Sequence, residues 1–149
     1  MHIDQVKLTD DLVNIAKQCN HSDWDTEGDA ELLTYTAESL KHYLQDTKNI
    51  LVVAHTNMTI VGVAIGYVLE HPSGNKTLYI DELDVRPAYR RQGIASSIIK
   101  KYQALAYQEF GCNEVWLSTT IENKSAQALY RSLNPTEDKS AVVFGWKLS

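Results

Sequence analysis

The sequence predicts an α+β fold with a mixed sheet. Three strand-like runs at residues 50–55, 58–70 and 76–85 follow one another through short turns, so they form a meander. Two further strand-like runs, at 114–119 and 141–148, are separated from the meander and from each other by helical stretches. A meander followed by strands separated by helices needs both antiparallel and crossover pairing.

Each element has its own signal. Residues 2–8 alternate apolar and polar, as a half-buried strand does. Thr9 is the expected N-cap of a helix through Gln18, with Asp10 and Asp11 in its first turn and Leu12, Ile15, Ala16 and Cys19 on one face. A loop then leads to a second helix over 30–45. Thr56-Asn57 is the tight turn between the first two meander strands, and His71 to Asn75, with Pro72 and Gly74, is the second turn. The long helix at 94–110 carries Ile94, Ile98, Ile99, Tyr102, Leu105 and Ala106 at core spacing, and Gly111 stops it. A short helix at 123–133 is capped by Asn123. No repeat or linker divides the chain, so 1–149 is expected to be one domain.

Composition excludes several classes. At 149 residues, 44% apolar and 22% charged, the chain has the balance of a soluble domain with a core. The longest apolar run, 60–69, is too short for a bilayer, and residues 1–7 show no secretory signal. Two cysteines, Cys19 and Cys112, without C-x-x-C spacing point to free thiols in a cytoplasmic protein. The net charge is −5, and Asp23, Asp25, Glu27, Asp29 and Glu31 carry five negative charges, so the remainder sums to zero. Nucleic acid is therefore not an expected partner, whereas a cation suits the acidic run. The histidines, at 2, 21, 42, 55 and 71, have no metal-ligand spacing, and no Ser-His-Asp pattern stands out.

The richest stretch is Arg90-Arg91-Gln92-Gly93-Ile94-Ala95-Ser96, between a strand and a helix. A glycine turn at a helix N-terminus offers backbone N–H groups and the positive dipole end to an anion, and adjacent arginines pair with phosphate oxygens. It lacks the Lys of G-x-x-x-x-G-K-[ST] and the further glycines of G-x-G-x-x-G. The R-x-x-G-x-A pattern resembles the pyrophosphate loop of the GNAT N-acetyltransferase superfamily. Asn123-Lys124-Ser125-Ala126-Gln127-Ala128-Leu129-Tyr130 resembles that superfamily's N-x-x-A-x-x-L-Y segment. The element order resembles its fold too, a mixed, mostly antiparallel sheet with helices on both faces.

The resemblance implies acetyl-CoA as cofactor, with Leu83 and Val85 on the preceding strand and Asn123 and Ala126 on the later helix joining the loop in binding it. It implies that Tyr130 protonates the leaving thiolate, a role suited to a phenol. It also implies a carboxylate base on the third meander strand. A strict two-residue period puts Leu78, Ile80, Glu82 and Asp84 on one face and Tyr79, Asp81, Leu83 and Val85 on the other. Acids buried on an apolar strand become stronger bases, so Glu82 is the first candidate and Asp84 the second. A backbone N–H near Leu83 to Val85 is expected to polarise the thioester carbonyl. The family's usual Gly-Phe after the Tyr is replaced by Leu133-Asn134-Pro135, where Asn tolerates the left-handed turn.

The acceptor side is expected between the first two helices, where Trp24, Asp25, Glu27, Asp29 and Tyr35 suit a polycationic amine. Ile80-Asp81-Glu82-Leu83-Asp84-Val85 and Arg90-Arg91-Gln92-Gly93-Ile94-Ala95 resemble aminoglycoside 3-N-acetyltransferases of this superfamily, with Glu82 at their Asp position, which implies a role in antibiotic resistance. A polyamine, an amino acid or a protein amine is the alternative acceptor, and a binding module without turnover the non-enzyme alternative. The superfamily's habit of pairing through C-terminal strands implies a homodimer, with Val142, Val143, Phe144 and Trp146 as its apolar surface.

Overall fold

The computed structural model describes residues 1–20, 23–24 and 34–149; Asp25, Glu27, Asp29, Glu31 and the expected helix start at 30 lie outside the described residues. The chain forms two compact units, Met1–Ser118 and Thr119–Ser149.

In the first unit, β1 (His2–Gln5) precedes α1 (Leu12–Cys19). Asp11, not Thr9, caps α1, accepting the Asn14 N–H at 3.1 Å. Asp10 instead accepts the Lys7 N–H at 2.7 Å, which closes the turn before the helix. α2 (Ala37–Gln45) begins at a reciprocal box in which Thr36 and Ser39 each accept the other's backbone N–H at 2.9 Å. β2 (Asn49–Thr56), β3 (Thr59–Glu70) and β4 (Lys76–Val85) are the expected meander. Asn57 and Met58 both take positive φ in the first turn. A short 3-10 turn, Pro87–Tyr89, leads to α3 (Ile94–Gln108) and then β5 (Glu114–Leu117).

The sheet runs β1-β2-β3-β4-β5, antiparallel except for the parallel β4–β5 pair. Its two faces are covered by different helices. Leu51 and Val53 on β2, with Val63 and Ile65 on β3, pack with Leu12, Ile15, Leu40 and Leu44 of α1 and α2. The opposite face carries α3. A methyl group added at Gly62 would lie 3.0 Å from Ile94 Cγ2 and 3.0 Å from Ile98 Cδ1, and one added at Gly66 would lie 2.8 Å from Tyr102 Cε1. These two glycines let α3 sit directly on the backbone of β3. The fully buried Tyr102 places its hydroxyl 2.9 Å and 2.8 Å from the carbonyl oxygens of Ile50 and Ala64.

β4 does not keep a strict two-residue period. Ile80 pairs with Gly66 and Glu82 with Ile65, so Asp81 is an extra residue, a β-bulge. The bulge overturns the expected face assignment. Leu78, Ile80, Leu83 and Val85 face α3, while Tyr79, Glu82 and Asp84 share the opposite face with Val63, Ile65 and Tyr67. The β4–β5 ladder covers only Thr77 to Ile80, so β4 from Asp81 onward has no β5 neighbour.

In the second unit α4 (Lys124–Ser132) is capped as expected, with the Asn123 side chain accepting the Ala126 N–H at 3.0 Å. Gln127 donates to the carbonyls of Thr120 and Ile121 at 3.1 and 2.7 Å, fixing the preceding turn. Asn134 takes φ of 54°, the left-handed turn expected of it. The strand expected at 141–148 is not formed; those residues have no regular structure, and Val143 is 89% and Trp146 82% exposed. Alternating apolar residues make a strand only against a partner edge, and none among the described residues pairs with them.

Gly66→Ala should destabilise the fold by about 1–3 kcal/mol, because the new methyl meets Tyr102 and the Tyr79 carbonyl with no room to yield. A drop in the urea midpoint at unchanged slope is the expected result.

Candidate active site

Successive N–H groups of a strand point to opposite edges. The Arg86 N–H donates to Val61 O on β3 at 2.9 Å, so those of Leu83 and Val85 face the edge that β5 has left. Val85 is occupied there: its N–H donates to Asp84 Oδ1 at 2.9 Å. Leu83 is left as the amide of that expected pair that faces the edge without this cap.

This edge runs into the turn before α3. Arg91 and Gly93 take left-handed φ of 61° and 79°, and no side chain caps the first turn of the 15-residue helix. A Cβ built at Gly93 meets nothing within 4 Å, so the space above the turn is open. The uncapped N–H groups, the dipole of a long helix and the exposed Arg91 together suit a pyrophosphate, which is the fit that acetyl-CoA demands. Gln92 is exposed, Ala95 and Ser96 are half-buried, and Ile94 is buried against the sheet as the residue that seats the turn. Arg90 turns back instead: its Nε donates to Val85 O at 3.0 Å and its Nη2 lies 3.5 Å from Asp84 Oδ1.

These contacts separate the two candidate bases. Asp84 is held by Arg90 and by the Val85 N–H. Glu82 is exposed, not buried as expected, and its carboxylate accepts the Tyr35 hydroxyl at 3.2 Å. Tyr35 is in turn fixed by Asn20, which accepts the Tyr35 N–H at 2.9 Å and donates to its carbonyl at 2.6 Å. Burial and the neighbouring Glu82 carboxylate push the Tyr35 phenol well above its ordinary range, so it stays a donor. An aromatic row, Tyr67, Tyr79 and Trp116, lies on the same face of the sheet.

Trp24, expected to meet the substrate, is only 8% exposed and belongs to the α1–α2 core. Its indole N–H donates to Gln18 O at 2.8 Å, and the Arg86 guanidinium lies 4.9 Å from its ring centroid. Arg86 is the residue that sequence reasoning missed, because an arginine between a strand and a proline looks like a solvated turn. Asn123, Ala126 and Tyr130 stand on the other unit, on α4 and its cap. Burial raises the pKa of the Tyr130 phenol, which keeps it protonated. Asp25, Glu27 and Asp29 lie outside the described residues. Among the described residues, no cluster of three or more His, Cys, Asp or Glu could hold a metal, and no helix is long and apolar enough to cross a membrane.

The acetyltransferase (GNAT) family model matches residues 9–134. The thialysine N-ε-acetyltransferase of Bos taurus is 33% identical over 87 residues, 58% of this chain and 49% of that protein. N-α-acetyltransferase 30 of Homo sapiens is 31% identical over 105 residues, 70% of this chain and 29% of that protein. The chain thus spans half or less of the length of these relatives. An aminoglycoside N(6′)-acetyltransferase type 1 of Acinetobacter genomosp. 13 is 26% identical over 112 residues, 72% of this chain and 76% of that protein. Among solved structures, an aminoglycoside acetyltransferase from a soil metagenome, in complex with trehalose, superposes with TM-score 0.79 at 24% identity, covering 99% of this chain and 96% of its own.

An acyl-cysteine route is poorly served by Cys19. Burial pushes its thiol up to about 11, the Arg86 charge opposing only in part. A raised value means less thiolate at any pH below it. Iodoacetamide at pH 8 should therefore label Cys19 in the native protein on the order of 100-fold more slowly than in urea. Peptide mass spectrometry reads both rates, and equal rates would show an open thiol.

Proposed function

The chain belongs to the acetyltransferase (GNAT) family, and from that premise we propose that it is a single acetyltransferase domain over 1–149 that moves acetyl from acetyl-CoA to an amine of a cationic small molecule, an aminoglycoside. The observation that carries the reading is the continuous path from the open β4 edge, beside the exposed Glu82, into the uncapped Gly93 turn. One end offers a proton acceptor and the other an anion cradle, on one strand and its exit.

Acetyl-CoA, when bound, supplies the thioester. Arg91 and the N–H groups from Gly93 to Ser96 hold its pyrophosphate. The Leu83 N–H polarises a carbonyl laid along the open edge. Glu82, directly or through one water, takes the proton that an alkylammonium must lose before its nitrogen can attack. Tyr35 holds the Glu82 carboxylate in place. Tyr130 would give its proton to a leaving thiolate and regain one, through solvent, from the second proton that the amine nitrogen sheds after attack; the first leaves Glu82 for water, so that ammonium and thioester give amide, thiol and one released proton. Asp84 is a weaker candidate for the base, because Arg90 already holds it.

Aminoglycosides are favoured as acceptors by the acidic run of the sequence and by relatives named for them. Those names point to the 6′-amino group rather than the 3-amino group. Relatives named for thialysine and for α-amino groups support amino-acid or protein amines as the second reading.

Thiol release from acetyl-CoA over an amine panel tests both readings. Aminoglycosides with a free 6′-amino group should be turned over, those offering only a 3-amino group poorly, and thialysine, lysine, spermidine and a peptide N-terminus little. Glu82→Gln should lower kcat by about 100-fold and Tyr130→Phe by about tenfold, with acetyl-CoA affinity retained. Turnover confined to thialysine or lysine would shift the acceptor to the second reading. Acetyl-CoA binding without turnover on any amine would make the chain a binding module.

We also propose a homodimer in the cytoplasm, in which a second copy covers the exposed Val142, Val143, Phe144 and Trp146. Sedimentation should give twice the monomer mass at micromolar concentration, and Phe144→Asp should return it to one.

A further inference from the structure

The aromatic row Tyr67, Tyr79 and Trp116 takes no part in the mechanism above. Tyr79 is paired with Tyr67 in the β3–β4 register and with Trp116 in the β4–β5 register, so the rings cross the sheet in one line. Trp116 leans over Tyr79 with ring centroids 4.3 Å apart, and Tyr67 meets Tyr79 edge-on at 5.5 Å. The indole N–H reaches Thr77 Oγ1 at 3.4 Å, which holds the Trp116 ring in place. Trp116 is nevertheless 40% exposed, and none of these rings belongs to the cluster of described core residues under α1 and α2. Leu69, two residues beyond Tyr67, extends the row as a further exposed apolar side chain. A contiguous exposed apolar strip beside polar groups is the form that a ligand groove takes.

The row borders on acid. A regular strand would turn Asp81 and Glu82 to opposite faces. The bulge brings both to the side of the row: Glu82 meets the Tyr35 hydroxyl there, and burial together with the Asp81 charge raises the pKa of the Tyr67 phenol. Tyr79 and Glu82 pair with Tyr67 and Ile65, two residues apart on β3, so they stand roughly 7 Å apart along the strand. One six-membered ring with its substituents covers that spacing. Ring carbons that bear ammonium or hydroxyl groups have electron-poor C–H bonds, which settle on the negative face of an aromatic ring. A saturated ring presents these bonds in a fixed array, whereas a linear chain must first be ordered. We infer that Tyr79 and Trp116 form the ring subsite of the amine acceptor, on which an amino-substituted saturated ring stacks while the amine to be acetylated stands at Glu82. Asp81, at the border of the platform, takes a second ammonium of the same molecule. The subsite thereby selects ring-borne polyamines over linear ones.

The inference rests on the acetyl-transfer reading for the amine at Glu82, and the test separates the two. Neamine carries its ammonium groups on saturated rings, and spermidine carries them on a linear chain. Full-length Trp116→Leu, Trp116→Phe and Asp81→Asn are compared with the parent chain. The readouts are Kd of neamine, spermidine and acetyl-CoA by calorimetry, acceptor KM, and tryptophan emission. Trp116→Leu should weaken neamine about tenfold in Kd and KM alike, and leave spermidine and acetyl-CoA within about twofold. Trp116→Phe keeps an aromatic face and should recover most of that loss. Asp81→Asn should weaken neamine about fivefold. The change in emission when neamine is added to the parent chain should vanish in Trp116→Leu. Asp81 is exposed, so Asp81→Asn carries the test if Trp116→Leu does not fold. Equal losses for neamine and spermidine, no loss for either, or a parent chain that binds no neamine would each overturn the inference. Neamine that binds at Trp116 and is not acetylated would defeat the acetyl-transfer reading and leave the ring subsite standing. Neamine acetylated with unchanged KM in the Trp116→Leu and Asp81→Asn chains would do the reverse.

Discussion

One inserted residue organises this molecule. Asp81 has no partner on β3, and the extra length it gives β4 does two things at once. It rotates Glu82 and Asp84 onto the face opposite Leu78 and Ile80, away from α3 and toward the side where the α1–α2 connection ends at Tyr35. It also coincides with the point where β5 leaves, so that the backbone beyond it faces an edge with no strand partner, where Val85 is met by the side chains of Asp84 and Arg90 instead. Without the bulge, the two carboxylates would point into the packing beneath α3, where an unpaired charge is costly. With it, Glu82 is exposed beside the edge that β5 has left, the juxtaposition on which the proposed reaction depends.

Much of this was legible in the sequence, and the reasons for the exceptions are physical. The meander, α3 and α4 follow from periodicity and from capping residues whose partners are three positions away, as at Asn123 and Ala126. The Gly93 turn was legible because a left-handed glycine before a long helix has few other uses. The bulge at Asp81 left no signal, since a strict alternation fitted those letters equally well and only the register with Ile65 and Gly66 breaks the tie. Arg90 reads as a phosphate ligand beside Arg91, yet its side chain meets Val85 and Asp84, contacts that no local pattern announces. The strand expected at 141–148 failed for a different reason: alternation is a property of the segment, whereas pairing is a property of its neighbour.

The polar contacts that matter most here are between elements distant in sequence. Gln18 with Met58 and Ile60, and Arg86 with Asp23, each join a helix end or a connection to the sheet, and Asn20 with Tyr35 joins the end of α1 to the stretch before α2. Helix ends leave carbonyls and amides without internal partners. In this chain the carbonyl of Gln18, in the last turn of α1, is satisfied by side chains that come from β4's exit and from Trp24. The end of one helix thereby becomes the point where α1 is referenced to the exit of the strand that carries Glu82.

The two glycines of β3 bear on how such a site can diversify. Because Gly62 and Gly66 bring α3 into direct contact with the backbone beneath it, the helix has no slack in which to slide, and the Gly93 turn moves only as the sheet moves. If acetyl transfer is the reaction, as proposed, the donor cradle is a rigid fixture. Adaptation to acceptors of new size or charge would then fall to the opposite face, where α1 and α2 meet the sheet through side chains rather than through bare backbone. Donor fidelity and acceptor variety would, in mechanical terms, belong to different sides of one sheet.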